Sequence, residues 1–338
     1  MMKLTRSRFL QLIPAVIAIP TAQSLSLPQK TTLVATSDPL PSWQEGPVKS
    51  AILDFVQQAT SEGSDGYIPP RDRIATFDND GTLWCEQPLA QGMFVISQVK
   101  ARVERQPELA DQPVVRALLN QDKSYFAQPE ARAELLKVLA TVSANMGQEE
   151  FECQAQSFLE TATHPQYAVK YTELGYQPQL ELLAYLRANG FQTWICTGGG
   201  IDFVRLISES MYGIIPQQVI GSSLEKEYRL VDGKNVIWRL PKIDLINDKE
   251  GKPVGMDRAI GQPPVFACGN VRSGGDIAML TYSQSASYPT FQLLINHDDE
   301  EREFAYSEAD NASLNAAQEK DWNVVSMKAD WLQVFTWQ

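Results

Sequence analysis

The chain has 338 residues, of which 43% are hydrophobic and 21% charged, with no internal repeat or long low-complexity tract. That is room for one large domain, or for one domain carrying a substantial insertion, and it excludes a disordered chain. The formal net charge is −12, which would repel nucleic acid phosphates and anionic membranes, so neither is expected as a partner.

The N-terminal residues read apart from the fold. "MMKLTRSR" is basic, "FLQLIPAVIAIP" is apolar, and "TAQS" offers small residues at Ala22 and Ser24. This order is expected of a secretory signal peptide over residues 1–24, and hence of an exported protein, periplasmic or extracellular. As a helix the apolar stretch would span about 18 Å, short of a hydrocarbon core of about 30 Å. Residues 25–46 are rich in Pro, Ser and Thr and are expected to form an extended lead-in.

Helical spacing begins with "PVKSAILDFVQQAT", which carries Pro47 at its first turn. After "IPPRD", the short apolar run "RIATF" reads as a buried strand ending at Asp78. From about 88 to 170 the pattern is helical, in "QGMFVISQVKARVERQ", "ARAELLKVLATVSANM" and "QEEFECQAQSFLETAT". The helix "QPQLELLAYLRANG" then feeds the strand "FQTWIC", and "TGGG" leads into the helix "IDFVRLISESMYG". Further strands are expected at "QVIGSS", "PVFAC", "FQLLIN" and "WNVVSM". Strands alternating with helices predict an α/β fold with a mostly parallel sheet and a helical insertion after the first core strand.

Ligands of open parallel sheets bind at the carboxyl ends of the strands. Three polar clusters stand at such ends: "DNDGT" after "RIATF", "TGGG" after "FQTWIC", and "GNVRSGGD" after "PVFAC". Lys252, in "KEGKPVG", precedes the last of these strands. Together they supply the parts for phosphoryl transfer through an aspartate nucleophile. Asp78 could attack phosphorus and form an aspartyl phosphate. Asp80 could protonate the leaving oxygen and later deprotonate water. Thr197 and the amides of Gly198 and Gly199 could hold phosphate oxygens. Lys252 could offset the charge on Asp78, and Mg²⁺ could bridge the nucleophile and the phosphate. Taken singly, "DNDG" could be a solvated turn, "TGGG" an ordinary strand-to-helix turn, Lys252 a surface residue and Asp276 a helix N-cap. Their order and shared placement favour a site.

The four cysteines, Cys85, Cys153, Cys196 and Cys268, lack CxxC spacing, and two histidines, His164 and His297, do not suffice for a zinc site. One disulfide is compatible with export, and no pairing is singled out. Cys85 reads either as a small packing residue, like the others, or as a thiol exposed enough to react. His297 and the acids "DDEERE" are expected in a solvated loop.

The stretches "FDNDGTLWCEQP", "YTELGYQPQLELLAYLRANGFQTWICTGGGIDFVR", "GKPVGMDRAIG" and "HDDEEREFAYSE" resemble the haloacid dehalogenase superfamily, specifically a phosphoserine-phosphatase-like branch with a helical cap. The resemblance runs from roughly residue 70 to 335. It implies a Rossmann-like core from residues 47–87 and 171–338, a helical cap over 88–170, and Mg²⁺-dependent hydrolysis of a small phosphorylated metabolite. It makes Asp78 the nucleophile, Asp80 the acid/base, Thr197 and Lys252 the phosphate contacts, and Glu86 a substrate contact. The branch usually reads Gly-Asn-Ser-Asp-Gly-Asp after its fourth strand. Here Gly269-Asn270 is followed by Val271, Arg272, Ser273, Gly274 and Gly275 before Asp276, so two residues are added and the middle acid is lost. The metal is then expected on Asp78, Asp80, Asn270 and Asp276. An acid at position 80 favours phosphatase over dehalogenase chemistry, because a leaving oxygen needs a proton. The alternatives are an impaired relative that binds a phosphorylated ligand without turnover, and a phosphotransferase.

Overall fold

Residues 38–46 make tight turns rather than an extended segment, with Leu40, Ser42 and Trp43 buried. Leu40 enters the core, and Trp43 packs edge-on to Trp331 while its indole donates to the Pro178 carbonyl at 2.9 Å. A computed structural model describes residues 38–126, 128–272 and 274–338, and the expected signal segment lies outside them.

Helix α1 (Pro47–Thr60) buries Ile52, Val56 and Ala59, the stripe that its spacing predicts. Strand β1 (Ile74–Phe77) is buried at every position, as a parallel strand covered on both faces must be. A helical stretch follows: α2 (Ala90–Arg105), α3 (Pro113–Leu119), α4 (Lys123–Phe126), α5 (Pro129–Val142) and α6 (Gln148–Thr161), with the short strand β2 (Met146–Gly147) before α6. The chain continues through α7 (Gln177–Ala188), β3 (Gln192–Gly200), α8 (Ile201–Tyr212), β4 (Val219–Val231) and β5 (Lys234–Leu245). It closes with α9 (Gly251–Ile260), β6 (Phe266–Asn270), α10 (Ile277–Ser283), β7 (Phe291–Asn296), α11 (Ala312–Lys320), β8 (Asn323–Ser326) and α12 (Met327–Asp330).

Eight strands form one sheet in the order β2-β5-β4-β3-β1-β6-β7-β8. The run from β4 to β8 is parallel, and β5 and β2 add an antiparallel edge. The chain leaves β1 for β3 on one side and later reaches β6 on the other, so a crevice opens at their carboxyl ends. In register, Phe77 lies opposite Ile195 of β3 and Cys268 of β6. The residues just beyond these three are therefore level with one another.

The long hairpin β4–β5 exceeds the short strand expected at "QVIGSS". Its turn is Asp232-Gly233, with φ of 48° and 77°, the two-residue connection that matches the twist of paired strands. The hairpin reaches the inserted helices through β2, where Met146 pairs with Arg239. Phe94 of α2 meets Phe151 and Phe158 of α6 and Phe203 of α8, with ring centroids 5.8, 5.5 and 5.4 Å apart. Among the described residues, no helix is long and apolar enough to cross a membrane.

Candidate active site

Asp78 is the first residue past β1, and its amide extends the ladder by donating to the Cys268 carbonyl at 2.9 Å. The chain then turns back on itself. The Asn79 carbonyl accepts from Leu83 at 2.9 Å, and the Gly81 amide donates to the Trp84 carbonyl at 2.9 Å. Gly81 has φ of +76°, and a Cβ there would lie 2.7 Å from Tyr306 Oη and 2.9 Å from Glu86 Oε1. No larger residue fits that turn. The Trp84 indole donates to Asp80 Oδ1 at 2.9 Å and so fixes the second carboxylate.

Lys252 stands in the first turn of α9 rather than in a surface loop, and it is 2% exposed. Its ammonium donates to Asp78 Oδ1 at 2.6 Å and also bonds to Asp276 Oδ1. Although Asp276 precedes α10, its side chain does not cap that helix. Its Oδ2 instead accepts from the Asn270 amide at 2.9 Å. Both oxygens of Asp276 are thus engaged in holding Lys252 and the end of β6.

Asn270 occupies the centre of the cluster. Its Nδ2 lies 3.2 Å from Asp78 Oδ2, 2.8 Å from the Asp80 carbonyl oxygen and 3.1 Å from Thr82 Oγ1. Its Oδ1 is buried without a hydrogen-bond partner. Three oxygens therefore converge on one small volume, and the asparagine turns its donor end toward them. No cluster of three or more His, Cys, Asp or Glu side chains among the described residues is arranged to hold a metal. Any cation here would rely on a mixed set of carboxylate, backbone carbonyl and amide oxygens.

The electrostatics follow from burial. Asp78 is pushed well above the ordinary carboxylate range, first by burial and then by the charge of Asp276, with Lys252 opposing both. Asp80 is also raised by burial, against the Trp84 indole and the Arg272 guanidinium. For Lys252 burial alone would lower the value, but Asp276 and Asp78 outweigh it and raise it, so the ammonium stays charged.

The remaining expected residues surround this cluster. Thr197 is fully buried, its hydroxyl accepts from the Gly199 amide at 3.0 Å, and its carbonyl accepts from Asn247 Nδ2 at 2.9 Å. The Gly200 amide donates to Gln91 Oε1 at 2.7 Å, so of this glycine run two amides are already bonded within the protein. Gly198 and Gly199 line the same cavity as Asp78, Asp80 and Lys252. Glu86 lines it too, is ion-paired with Arg272, and is raised by burial despite that pair. Sequence reasoning assigned no role to Arg272, the residue standing in the altered loop.

It also missed a buried network behind the first motif. His297 does not lie in a solvated loop: it, Asp299 and Glu303 are 2%, 3% and 2% exposed. The Nε2 of His297 donates to the Gly81 carbonyl at 2.7 Å, and its Nδ1 faces Glu303 Oε2 at 3.2 Å. Tyr306 stacks on the imidazole, with centroids 4.2 Å apart. The available signal was position, since "HDDEERE" follows "FQLLIN" at a fourth strand end. Cys85 is buried as well, and burial pushes its thiol up, which removes it as the reactive thiol; Cys153 is the exposed cysteine, and all four are free.

No curated protein matches this chain. A conserved, functionally unknown protein from Anaerococcus prevotii is similar in structure, with a TM-score of 0.53 and 16% identity, covering 82% of this chain and 91% of its own. A protein of unknown function from Bordetella pertussis has a TM-score of 0.49 and 18% identity, covering 75% of this chain and 98% of its own. A phosphoserine phosphohydrolase-like protein from Francisella tularensis has a TM-score of 0.37 and 13% identity, covering 73% and 99%. The first of these shares the fold. The sequence itself matches the family model for haloacid dehalogenase-like hydrolases over residues 75–280, a span holding both strand-end acids, Lys252 and Asp276. The chain belongs to the haloacid dehalogenase-like hydrolase family.

Proposed function

We propose that the protein is an Mg²⁺-dependent phosphatase that hydrolyses a small phosphomonoester through an aspartyl phosphate on Asp78. The observation that carries this reading is the Asp78 carboxylate at the end of β1, held at 2.6 Å by the buried Lys252 ammonium. That contact aims one oxygen and leaves the carboxylate facing a cavity.

In the first step an Asp78 oxygen attacks phosphorus and the ester P–O bond breaks. The protonated Asp80 carboxyl, favoured by its raised pKa, passes its proton to the departing alcohol oxygen. In the second step the Asp80 carboxylate takes a proton from water as that water attacks phosphorus. Inorganic phosphate leaves and Asp78 is restored. Lys252 offsets the charge that builds up between Asp78 and the phosphoryl oxygens.

The donor set fits Mg²⁺. Asp78 Oδ2, the Asp80 carbonyl and Thr82 Oγ1 converge, and the unpartnered Oδ1 of Asn270 would join them if the amide turned over. The Asn270 Nδ2 donor now stands among these oxygens, and with the amide turned over a cation would take its place. Asp78, Asp80 and Asn270 would hold the ion, with Asp276 positioning Asn270 and Lys252 from behind. When bound, Mg²⁺ neutralises the repulsion between nucleophile and substrate. The helices between β1 and α7, residues 88–170, act as the cap over the site, and the order of residues 1–24 supports export.

The test is turnover of p-nitrophenyl phosphate with Mg²⁺ against the same reaction in EDTA. Turnover that EDTA abolishes is expected. In Asp80→Asn, hydrolysis should slow by about 10²–10⁴-fold, so that phosphate label accumulates on the protein in acid-quenched samples. Phosphate binding without any turnover would instead make the chain a binding relative.

A further inference from the structure

The cavity that begins at Asp78 does not end there. Its volume is about 550 Å³, far more than a phosphoryl group needs and within the range that holds a whole small-molecule ligand. Beyond the strand ends its walls come from three helices and the hairpin, with Phe94 of α2, Phe151 of α6, Phe203 of α8, and Leu224, Ile243 and Leu245 of the hairpin. All six are apolar.

Asp202 and Arg239 line the far side as well, but their charges are engaged with each other. Asp202 is 5% exposed, accepts from Arg239 at 2.5 Å and is paired with Lys226 at 2.7 Å. Arg239 also donates to Gln148 at 2.8 Å and to the Ser143 carbonyl at 2.7 Å, and the Phe151 ring covers its guanidinium at 3.8 Å. Near the strand ends, Glu86 and Arg272 are likewise paired. A zwitterionic ester such as phosphoserine could set its ammonium on the unpartnered Oε1 of Glu86, but its carboxylate would have to take Arg272 or Arg239 from an existing pair. An apolar alcohol portion would need no new polar partner and would take apolar surface from water. Gln91 stands between the two regions with a buried Nε2 that has no partner, a donor suited to an oxygen near the ester linkage.

We infer that the substrate class is a phosphomonoester of an apolar alcohol, aliphatic or aromatic, whose hydrocarbon portion fills this chamber while its phosphate meets Asp78 and Lys252. The inference rests on the phosphatase reading for the phosphate end alone. The chamber between α2, α6 and the hairpin decides the rest.

The experiment is calorimetric binding of a homologous series, ethyl-, butyl- and hexylphosphonate, to the wild-type protein with Mg²⁺, beside turnover of the matching alkyl phosphates. Phosphonates are not hydrolysed, so their binding does not depend on catalysis. Affinity should rise about fourfold per methylene, and hexylphosphonate should bind more tightly than the phosphonate isostere of phosphoserine. Leu224→Asn and, separately, Ile243→Asn should each weaken hexylphosphonate at least about tenfold, the loss expected when apolar lining becomes polar. If either variant fails to fold, the wild-type series decides alone. A flat or falling series, or tighter binding of the phosphoserine isostere, overturns the inference. A rising series with no ester turned over would sustain the chamber and sink the phosphatase reading. Turnover with a flat series would do the reverse.

Discussion

Lys252 Nζ lies 2.6 Å from Asp78 Oδ1, joining residues 174 apart in sequence, and the same ammonium is bonded to Asp276. One buried cation thus holds two carboxylates. Asp78→Asn removes one of those charges and leaves the Lys252–Asp276 pair in place, so the fold should survive. Turnover should vanish, because an amide does not attack phosphorus, and phosphate should bind more tightly once the repelling charge is gone. Steady-state rates with phosphate calorimetry check both. More than a few per cent of wild-type rate would remove Asp78 from the role of nucleophile. Lys252→Ala behaves differently, since it strands two buried carboxylates and should cost about 3–5 kcal/mol in urea unfolding.

Asn270 and Asp276 should separate in their response to Mg²⁺. Asn270→Ala deletes an amide among the converging oxygens, so the Mg²⁺ concentration for half-maximal rate should rise, and excess metal should restore much of the rate. Asp276→Asn acts through Lys252 and the Asn270 backbone, so it should lower kcat with a smaller change in Mg²⁺ requirement. Titration of rate against Mg²⁺ distinguishes the two. Equal shifts in both variants would place Asp276 on the metal directly.

Asp202 and Arg239 are both almost fully buried, and together they tie α8 to the hairpin and the inserted helices. Burial would raise the Asp202 carboxyl, but Lys226 and Arg239 outweigh it and hold it below the ordinary value. Asp202→Asn leaves Arg239 without its charge partner and should cost about 3–5 kcal/mol at neutral pH. A lowered folded-state pKa means that this stabilisation is complete above the unfolded value of about 3.9. It is lost as pH falls through the lower folded value. Urea melts of wild type and variant at pH 7 and at successively lower pH should therefore converge, and a constant gap would refute the linkage.

His297 holds the first-motif turn from behind through the Gly81 carbonyl. His297→Leu leaves that buried carbonyl without its donor and should destabilise the protein by about 1–3 kcal/mol. His297→Gln keeps a donor of similar reach and should recover part of both stability and kcat. If Leu and Gln behave alike in unfolding and in rate, the His297 contact does not hold the turn.

The alternation of short apolar runs with amphipathic stretches determined an α/β fold, because burial on both faces demands apolar strands and burial on one face demands helical periodicity. Asp78, Asp80, Thr197, Lys252 and Asn270 were legible because each follows or precedes such a run in a recognisable order. The Asp232-Gly233 hairpin was overlooked, although its turn residues carry a specific backbone demand. The partners of each charged residue were decided only by the tertiary structure. Register between β1 and its two neighbours sets Asp78 level with Cys196 and Gly269, one residue before Asn270, and no local rule states which strands will be neighbours. Asp276 reads as a metal ligand or a helix cap in one dimension and as a partner of Lys252 in three. His297 reads as solvated because acids follow it, and it is buried because the end of β7 points it into the first motif. Burial, and with it the raised pKa values of Asp78 and Asp80, belongs to the assembled sheet, since a desolvated charge is a property of everything packed around it.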